Sequence, residues 1–437
     1  MTELRLNKLN HAPGSVEYKS VMDTAYFFSF DNFCKNYLRV GARERQESDY
    51  SKSDFWVKLD DYHTHHYENV IIDGCAIAYD EQHQPIKEAL NTYDDIDHFV
   101  RDKGCKDFSG IKRIDTEKAP ILFFDHYFYN FTHFVFEAFP RLFLVKDLVK
   151  QGHKILLPPR PKKGAGYDYY IHIQPCLDSI GITAADMIEI PAEGAFFPQL
   201  IMPSHVKFQP DVVLPAINHL KNYFFEADFK WDHENLYISR DDTKLRNITN
   251  KHSVEFIVCR YFNFKRVVMS ELSFKDKINI MARTQCVVSV DSSSLTNAMF
   301  MDQKTKILAL RPYCFGFYGI PFNSLFDLDI YFQVCPFGTT DTSHFAGHLF
   351  VNVVKLFDNL CKIAPDIKKS KTQLFFVRMI LIAYHACTLP LNKIHTYISK
   401  LMDDHLVAPR YYRIKRNLNV NGIKKLIYLI VNGTFKK

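Results

Sequence analysis

The chain has 437 residues, of which 47% are hydrophobic and 15% aromatic, and its formal net charge is +6. This length predicts two or three domains, and the apolar content excludes an intrinsically disordered protein. The charge is mild and no nucleic-acid-binding module is recognisable, so a nucleic-acid binder is excluded. The ten cysteines have no CxxC or zinc-type spacing, which predicts reduced thiols in a cytosolic protein.

The first half of the chain predicts an α/β unit. Residues 69–74 and 75–80 are expected to form a hairpin with Asp-Gly near the turn. From about residue 119, short apolar segments alternate with helical ones, which is typical of a parallel sheet covered on both faces. The expected strands are 121–124, 154–157, 187–190 and 200–202, and the expected helices are one from about residue 130 and one at 167–180.

Residues 203–215 are expected to cross to a second α/β unit, which opens with a helix at 216–225. Its predicted strands are 235–239, 264–269, 286–290 and 306–310, and its predicted helices are 254–261, 273–282 and 292–301. Further helices are expected at 348–363 and 372–386. We therefore predict an N-terminal domain at 1–214, a second α/β domain at 215–340 and a helical extension at 341–437.

The helix from residue 130 is the first candidate site. Its polar residues with helical spacing are Asn130, His133, Glu137 and Arg141. At about 100° per residue these side chains share one face, and His126 lies near that face if the helix begins early. The other faces are apolar, so these polar groups are expected to be buried, at a cost of several kcal/mol unless they are paired. They form either a functional site or a helix cap at Asn130 followed by a satisfied core cluster.

The loop after the strand at 235–239 is the second candidate. It carries Arg240, Lys244 and Arg246. Because Arg240 directly follows the strand, it is expected at the carboxyl edge of the sheet, where a guanidinium group suits a phosphate. The alternative is a surface arginine that pairs with Asp241 or Asp242.

The third candidate is the junction between the strand at 286–290 and the next helix. Its residues are Asp291, Ser292, Ser293, Ser294, Thr296 and Asn297. Free N–H groups at a helix start, together with serine hydroxyls, make an anion site that fits a nucleoside diphosphate. The alternative is helix capping by Asp291 or Ser292, which needs no ligand. The sequence has no Walker motif, no GxGxxG and no DxD in a metal-binding context, which disfavours ATPase, dinucleotide and metal-dependent readings.

Two segments together resemble a known family. The run N-x-x-H-F-x-x-E-x-x-P-R-L at 130–142 looks like the first motif of glycosyltransferase family 61, the DUF563 domain. The stretch 236–312 looks like its second half, with L-Y-I-S-R, a later Arg, L-S-F and L-T-N-x-x-F-M. Order and spacing match over about residues 60–335.

The resemblance implies a two-domain GT-B fold and an inverting, metal-independent transferase that uses a nucleotide sugar. It places Asn130, His133, Glu137 and Arg141 on the acceptor side and Arg240, Arg246, Thr296 and Asn297 on the donor side. The chain departs from the family where Asp-Ser-Ser-Ser at 291–294 replaces H-G-A-G, where Ala309 replaces a common Glu, and where Lys277 replaces a common Gln. An aspartate beside a phosphate would repel it unless an arginine or lysine answers the charge.

We therefore expect a glycosyltransferase of the α/β class, with two Rossmann-like domains facing across a cleft (GT-B type) and a helical C-terminal extension. Glu137 is the expected base, His133 orients or replaces it, and Asp291 is the reserve candidate. No cofactor or metal is expected, and the co-substrate is a nucleotide sugar, taken to be UDP-linked. The alternatives are a non-catalytic member that binds a glycan or a partner enzyme, and a hydrolase of sugar phosphates or nucleotide sugars.

The C-terminal segment bears on location. Residues 410–437 carry eight Lys or Arg and no Asp or Glu, around an apolar run at 426–431. Such a segment suits the anionic inner face of a membrane, although a solvated tail or a docked helix would look the same. With no apolar leader at the N-terminus, this predicts a cytoplasmic bacterial enzyme that glycosylates a lipid-linked capsule or lipopolysaccharide precursor at the inner membrane face.

Overall fold

The computed structural model describes residues 16–17, 58–59, 62–86, 89–90, 108, 110–160, 168–206, 209–303, 305–312, 325–335, 347–364 and 379. Ahead of the main body, β1 (Val16–Glu17) and β2 (Lys58–Leu59) pair antiparallel. The basic segment at 410–437 and the helix predicted at 372–386, apart from residue 379, lie outside the described residues. Within the described ranges, no helix has the length and apolar character needed to cross a bilayer.

The first half of the chain forms a mixed sheet. Its strands are β3 (Thr64–Ile72), β4 (Ala78–Tyr79), β5 (Lys112–Arg113), β6 (Ile155–Leu157), β7 (Met187–Glu189) and β8 (Ala195–Pro203). Their order is β4-β3-β8-β5, and Ile121 bridges β8 to the parallel pair β6-β7. The predicted hairpin is confirmed as the antiparallel pair β3-β4, in which Ile71 faces Tyr79.

The parallel pairing expected from about residue 119 is confirmed among the strands predicted there, since Ile121 bridges Ile155 and Ile201 in parallel and β6 pairs with β7 in parallel. The sheet as a whole is mixed, because β3, which that pattern did not include, runs antiparallel to β8. β3 has the sequence THHYENVII and is largely accessible, which an antiparallel strand tolerates because it can keep one face in water. The first six residues of β3 are mostly polar, so a prediction based on apolar runs did not identify them as a strand. Of the strand predicted at 121–124, Ile121 alone forms bridges, and 122–124 are irregular.

The helices of the first half pack on this sheet and on each other. They are a π-helical turn (His133–Ala138) continued by α1 (Phe139–Lys150), then α2 (Tyr170–Ser179), a short 3-10 turn (Ala184–Asp186) and α3 (Pro210–Phe224). The start of α3 was predicted six residues too late, because Pro215 was taken as a helix boundary. The helix accommodates that proline and runs unbroken through the predicted domain limit at 214/215. The domain limits stay a prediction.

The second half has a parallel sheet, as predicted. Its strands are β9 (Asn235–Ser239), β10 (Lys265–Val268), β11 (Cys286–Val290), β12 (Lys306–Pro312) and β13 (Asp329–Cys335). Their order β10-β9-β11-β12-β13, all parallel, is that of a doubly wound unit. The helices are α4 (Lys251–Glu255) with a second π turn (Phe256–Tyr261), a 3-10 turn (Met269–Glu271), α5 (Phe274–Ala282), a longer 3-10 helix (Ser293–Phe300) and α6 (Val353–Ile363).

The two halves share one apolar core. Phe134 and Ile201 of the first half belong to the same buried cluster as Ile238 and Phe300 of the second. At the junction, the ring of Phe131 lies 6.3 Å from that of Phe274 on α5. The α/β class is therefore confirmed, and the arrangement of the halves as two facing GT-B domains stays a proposal.

Candidate active site

The strand order of the second half has a switch point between β9 and β11. β9 comes first in the chain, β10 lies on one side of it and β11 on the other. Ligands of open α/β sheets bind beyond the carboxyl ends of the strands at such a point. Arg240 directly follows β9 and Asp291 directly follows β11. A cleft at this edge is lined by Tyr237, Ser239, Arg240, Asp241, Asn247, Ile248, Lys251 and Val290.

Arg240 does not form the surface ion pair that was the alternative to a ligand-binding role. Asp241 is bound instead by Lys251 and Arg266, and Arg240 has no ion pair within the part of the chain that the structure describes. Burial, together with the nearby charge of Arg246, lowers the pKa of Arg240 to about 10. Arg240 Nε donates to the Leu245 carbonyl at 3.3 Å, and because no carboxylate pairs with the guanidinium group among the described residues, a bound anion would stabilise its charged form.

The negative charge of Asp291, which was expected to repel a phosphate, is balanced by nearby arginines. Arg311 at the end of β12 places Nε 3.6 Å from Asp291 Oδ2, and the Arg311 side chain is only 2% exposed. Arg246 donates from Nη1 to the Asp291 carbonyl at 3.0 Å. Burial lowers the pKa of Arg246, and the Asp291 charge partly opposes that shift. With Arg240, the guanidinium groups at this edge outnumber the carboxylate of Asp291. In the sequence, the only indication that Arg311 could belong to this site was its position at the end of a predicted strand.

Ser292 does not cap the helix that it precedes, so the ligand-free explanation of this serine fails. The helix at Ser293–Phe300, here called the serine helix, is a 3-10 helix rather than the predicted α-helix, and Ser292 makes no side-chain bond to it. Ser292 Oγ and Asn297 Oδ1 are buried without a hydrogen-bond partner among the described residues. These residues are 8% and 2% exposed. A buried polar atom without a partner costs about 1–3 kcal/mol, which a ligand would remove.

The remaining predicted donor residues lie close by. Ser293 and Ser294 occupy the half-buried first turn of the serine helix, and the Ser294 carbonyl accepts from Asn297 Nδ2 at 2.8 Å. Lys244 is exposed on the loop between Arg240 and Arg246. The Arg240 and Arg246 side chains, Asp291, Ser292 and Arg311 are called the anion edge below.

The second group of predicted residues lies on the π turn that leads into α1. Here the Phe139 N–H donates to the carbonyl of Phe134, five residues back, where a regular α-helix was expected. Such turns occur frequently at functional sites. His133 Nδ1 and Glu137 Oε2 are hydrogen-bonded at 2.9 Å, with side chains that are 23% and 5% exposed. The imidazole is therefore the accessible member of the pair, and the carboxylate lies behind it.

Asp125 is a functional candidate that the sequence reading missed. It is buried in the turn before the helix, and its Oδ1 accepts from the Tyr127 N–H at 2.8 Å. Burial and the charge of Glu137 raise the pKa of Asp125, while His133 and His126 oppose that shift. The Tyr127 ring stacks on His133 at 4.9 Å and packs on the buried His126 at 4.2 Å. Asp125, His126, His133 and Glu137 form what we call the acid–base pocket.

The side chains of Asn130 and Arg141 form hydrogen bonds with backbone groups of the protein. Asn130 Oδ1 accepts from the Thr132 N–H at 2.9 Å, which is the capping role considered as an alternative. The Arg141 guanidinium is buried and donates to the Pro203 carbonyl from Nε at 3.0 Å and from Nη2 at 2.6 Å. Arg141 thus fixes the end of β8 to α1. Contact of either residue with an acceptor stays a prediction.

The acid–base pocket and the anion edge meet where Thr132 contacts Thr296, a junction called the seam below. The hydroxyls of Thr132, next to His133, and of Thr296, on the serine helix, share a hydrogen bond of 2.8 Å. The predicted groups are therefore brought together, but at this point the halves touch directly rather than face across an open cleft. Among the residues that the structure describes, no three His, Cys, Asp or Glu side chains converge in a way that would hold a metal ion.

The family model described as Glycosyltransferase 61 matches residues 131–308. The match begins at the first residue of the helix that carries His133 and Glu137 and ends within β12, so it includes the π turn and the serine helix. It is shorter than the resemblance drawn from the sequence, and it leaves out Asp125 and Arg311. No curated protein matches the chain significantly.

Proposed function

We propose that this chain, whose residues 131–308 match the Glycosyltransferase 61 family model, is a glycosyltransferase that moves a sugar from a nucleoside diphosphate to a glycan hydroxyl with inversion. The observation that carries the proposal is the anion edge. Guanidinium groups gather there beside a buried serine hydroxyl that has no partner among the described residues. That combination fits a diphosphate, which offers several anionic acceptor oxygens.

The donor is proposed to lie at the switch point of the second sheet. Arg240 and Arg246 would bind the phosphates, Arg311 would hold the adjacent carboxylate of Asp291, and Ser292 Oγ would donate to a phosphate oxygen. The first N–H groups of the serine helix would add to this site. Asn297 Oδ1 would accept from a hydroxyl of the ribose or the sugar. Arginines around the leaving diphosphate would supply the positive charge that a divalent cation supplies in other transferases, which supports a metal-independent reaction. The donor is proposed to be UDP-linked.

The acid–base pocket is proposed to accept the proton of the acceptor hydroxyl. The burial of Glu137 behind His133 supports an order of roles different from the one expected from sequence. His133 Nε2 would meet the hydroxyl, while Glu137 holds Nδ1 and stabilises the imidazolium that forms. Asp291, the reserve candidate, lies among arginines on the donor side, which supports a positioning role for it.

The proposed step balances as a single displacement. The acceptor oxygen forms a bond to the anomeric carbon from the face opposite the leaving group. The bond from that carbon to the diphosphate oxygen breaks, and its electron pair stays on the diphosphate, which the arginines stabilise. The acceptor proton passes to His133. Attack from the opposite face inverts the anomeric centre.

Calorimetry of the folded chain with UDP, GDP and CMP tests the donor site. We expect UDP to bind, and Arg240→Met to weaken binding by about 10-fold or more, because charge-assisted hydrogen bonds contribute about 1.5–3 kcal/mol. Arg266→Met is the matched control, since Arg266 pairs with Asp241 and Glu255. If none of the nucleotides binds, or if both variants bind UDP equally weakly, the anion edge is not the donor site.

The acceptor is proposed to be a lipid-linked glycan of the capsule or lipopolysaccharide type at the cytoplasmic face of the membrane. The support is the basic sequence of 410–437, which lies outside the described residues. To test the acceptor, the protein is incubated with the donor and with either lipid-linked or free oligosaccharides, and sugar transfer to each is measured. Transfer to free oligosaccharides alone contradicts this part of the proposal.

A further inference from the structure

Lys277 is a buried cation that the proposed mechanism does not yet use. It lies on α5, is 6% exposed, and holds its ammonium 5.5 Å from the centroid of the Phe131 ring. It forms no hydrogen bond or ion pair through its side chain with any residue that the structure describes. Burial lowers the pKa of Lys277. Burying an ammonium group is expensive, and one aromatic face offsets only part of the cost.

The surroundings of Lys277 place it between the two parts of the site. Phe131, under its ammonium, begins the helix that carries His133, and the next residue, Thr132, is bonded to Thr296 of the serine helix. On α5, the ring of Phe274 lies 6.3 Å from that of Phe131 at the junction of the two halves. The charge of Lys277 acts on the buried His172 of α2, and it is opposed by that of Asp242 on the loop after Arg240. Lys277 therefore lies at the junction between the acid–base pocket and the anion edge.

In the proposed function, the breaking bond would lie at this junction. The sugar would lie between the catalytic base and the nucleotide, with the phosphate attached to the sugar as the part of the nucleotide nearest to that base. A cation at the seam therefore meets the distal phosphate of the donor rather than the phosphate attached to the ribose. Negative charge develops on that distal phosphate as the bond breaks, which is where a fixed cation contributes most.

Resting on the proposed function, we propose that Lys277 binds the distal phosphate of the nucleotide-sugar donor and stabilises it as the leaving group. The bond between the anomeric carbon and the oxygen of that phosphate breaks with its electron pair on the oxygen, and the lysine stays protonated throughout. Lys277 thus makes the site selective for nucleoside diphosphates over monophosphates.

The test compares UDP with UMP, which lacks the distal phosphate. Lys277→Gln should lower the affinity for UDP by about 10-fold or more and leave the affinity for UMP within about twofold. Lys277→Arg should restore part of the loss. Lys275→Gln, on the same helix, is the control, because Lys275 is half-exposed and pairs with Glu226. Its UDP affinity should equal that of the unmodified protein. An equal loss for both nucleotides in Lys277→Gln would mean a packing role and overturn the proposal.

A second measurement keeps the test valid if Lys277→Gln does not fold. The unmodified protein is labelled with acetic anhydride alone, with UDP or with UMP, and the modification of each lysine is read by mass spectrometry. UDP should protect Lys277 and UMP should not. If calorimetry shows that UDP binds but UDP does not protect Lys277, the role proposed for Lys277 is wrong and the proposed donor site is kept. If UDP does not bind, both the donor site and the role of Lys277 are wrong.

Discussion

The acid–base pocket and the anion edge both bury charge, but with different chemistry. The pocket combines carboxyl groups with imidazoles, which exchange protons near neutral pH. The pKa of its Asp125 is raised by burial and by the charge of Glu137. The edge combines guanidinium groups, which stay protonated, with a carboxylate and hydroxyls. The protein thus separates groups that can exchange a proton from groups that hold a fixed charge.

Under the proposed function, the two regions would serve different steps. The groups of the acid–base pocket would serve the attack by the acceptor, because the acceptor hydroxyl must lose a proton. The guanidinium groups of the anion edge would serve the departing diphosphate, because its negative charge must be stabilised without proton transfer. Variants in the pocket should therefore change turnover, and variants at the edge should change nucleotide affinity. The three predictions below test that separation.

The largest effect is expected in the acid–base pocket. His133→Ala and Glu137→Gln should each lower kcat by about 10²–10⁴-fold, the usual contribution of a positioned base. UDP affinity measured by calorimetry should stay within about twofold. If either variant keeps the unmodified rate, the pocket does not take the proton. If UDP binding is lost together with activity, the two regions do not act separately.

A smaller effect is expected from two serines that each precede a helix. Ser273 Oγ accepts from the Asp276 N–H at 3.0 Å and so caps α5, whereas Ser292 makes no such bond. Ser273→Ala should lower the free energy of unfolding by about 1 kcal/mol and leave UDP affinity unchanged. Ser292→Ala should leave stability unchanged or raise it, and should weaken UDP binding by about 2–10-fold. The reverse pattern would make Ser292 a structural cap.

The smallest effect concerns pH and Asp125. Because folding raises the pKa of Asp125, the native state binds more protons than the unfolded chain above the ordinary aspartate pKa of about 3.9. Stability contributed by the protonated carboxyl is therefore present below that pH and is lost as pH rises through the native pKa.

Asp125→Asn removes this loss and keeps an acceptor for the Tyr127 N–H. Its thermal midpoint should exceed that of the unmodified protein at pH 7, and the difference should shrink at pH 3.5. Asp80→Asn, at an exposed turn that accepts the Gln82 N–H in the same way, should show no such pH-dependent gain. A variant that is less stable at pH 7 would mean that Asp125 is held ionised by other groups.

Local reasoning succeeded where the contact lies within one element. The His133–Glu137 bond follows from a spacing of four residues, which keeps side chains adjacent even when the helix turns from α to π. The apolar strands of the second half were found because a parallel strand that is buried on both faces is apolar along its length. Arg240 was found because it directly follows such a strand.

Local reasoning failed where the contact joins distant segments. Arg311 meets Asp291 only because β12 pairs with β11 in parallel, which brings the ends of both strands to one edge. The charge of Glu137 acts on Asp125 because the turn before the helix lies against it, with the Tyr127 ring stacked on His133. β3 escaped notice because its pairing with β8 tolerates polar residues on an accessible face.

The sequence by itself determined the α/β class and the parallel second sheet, and it carried the family resemblance and the candidate site residues, because periodicity and short motifs are local properties of the chain. Tertiary structure alone decided which charges are balanced. It placed Arg311 beside Asp291, put Asp125 in the acid–base pocket and left Ser292 without a capping bond. The energy of a buried charge depends on neighbours brought close by folding, and those neighbours are far apart in the sequence.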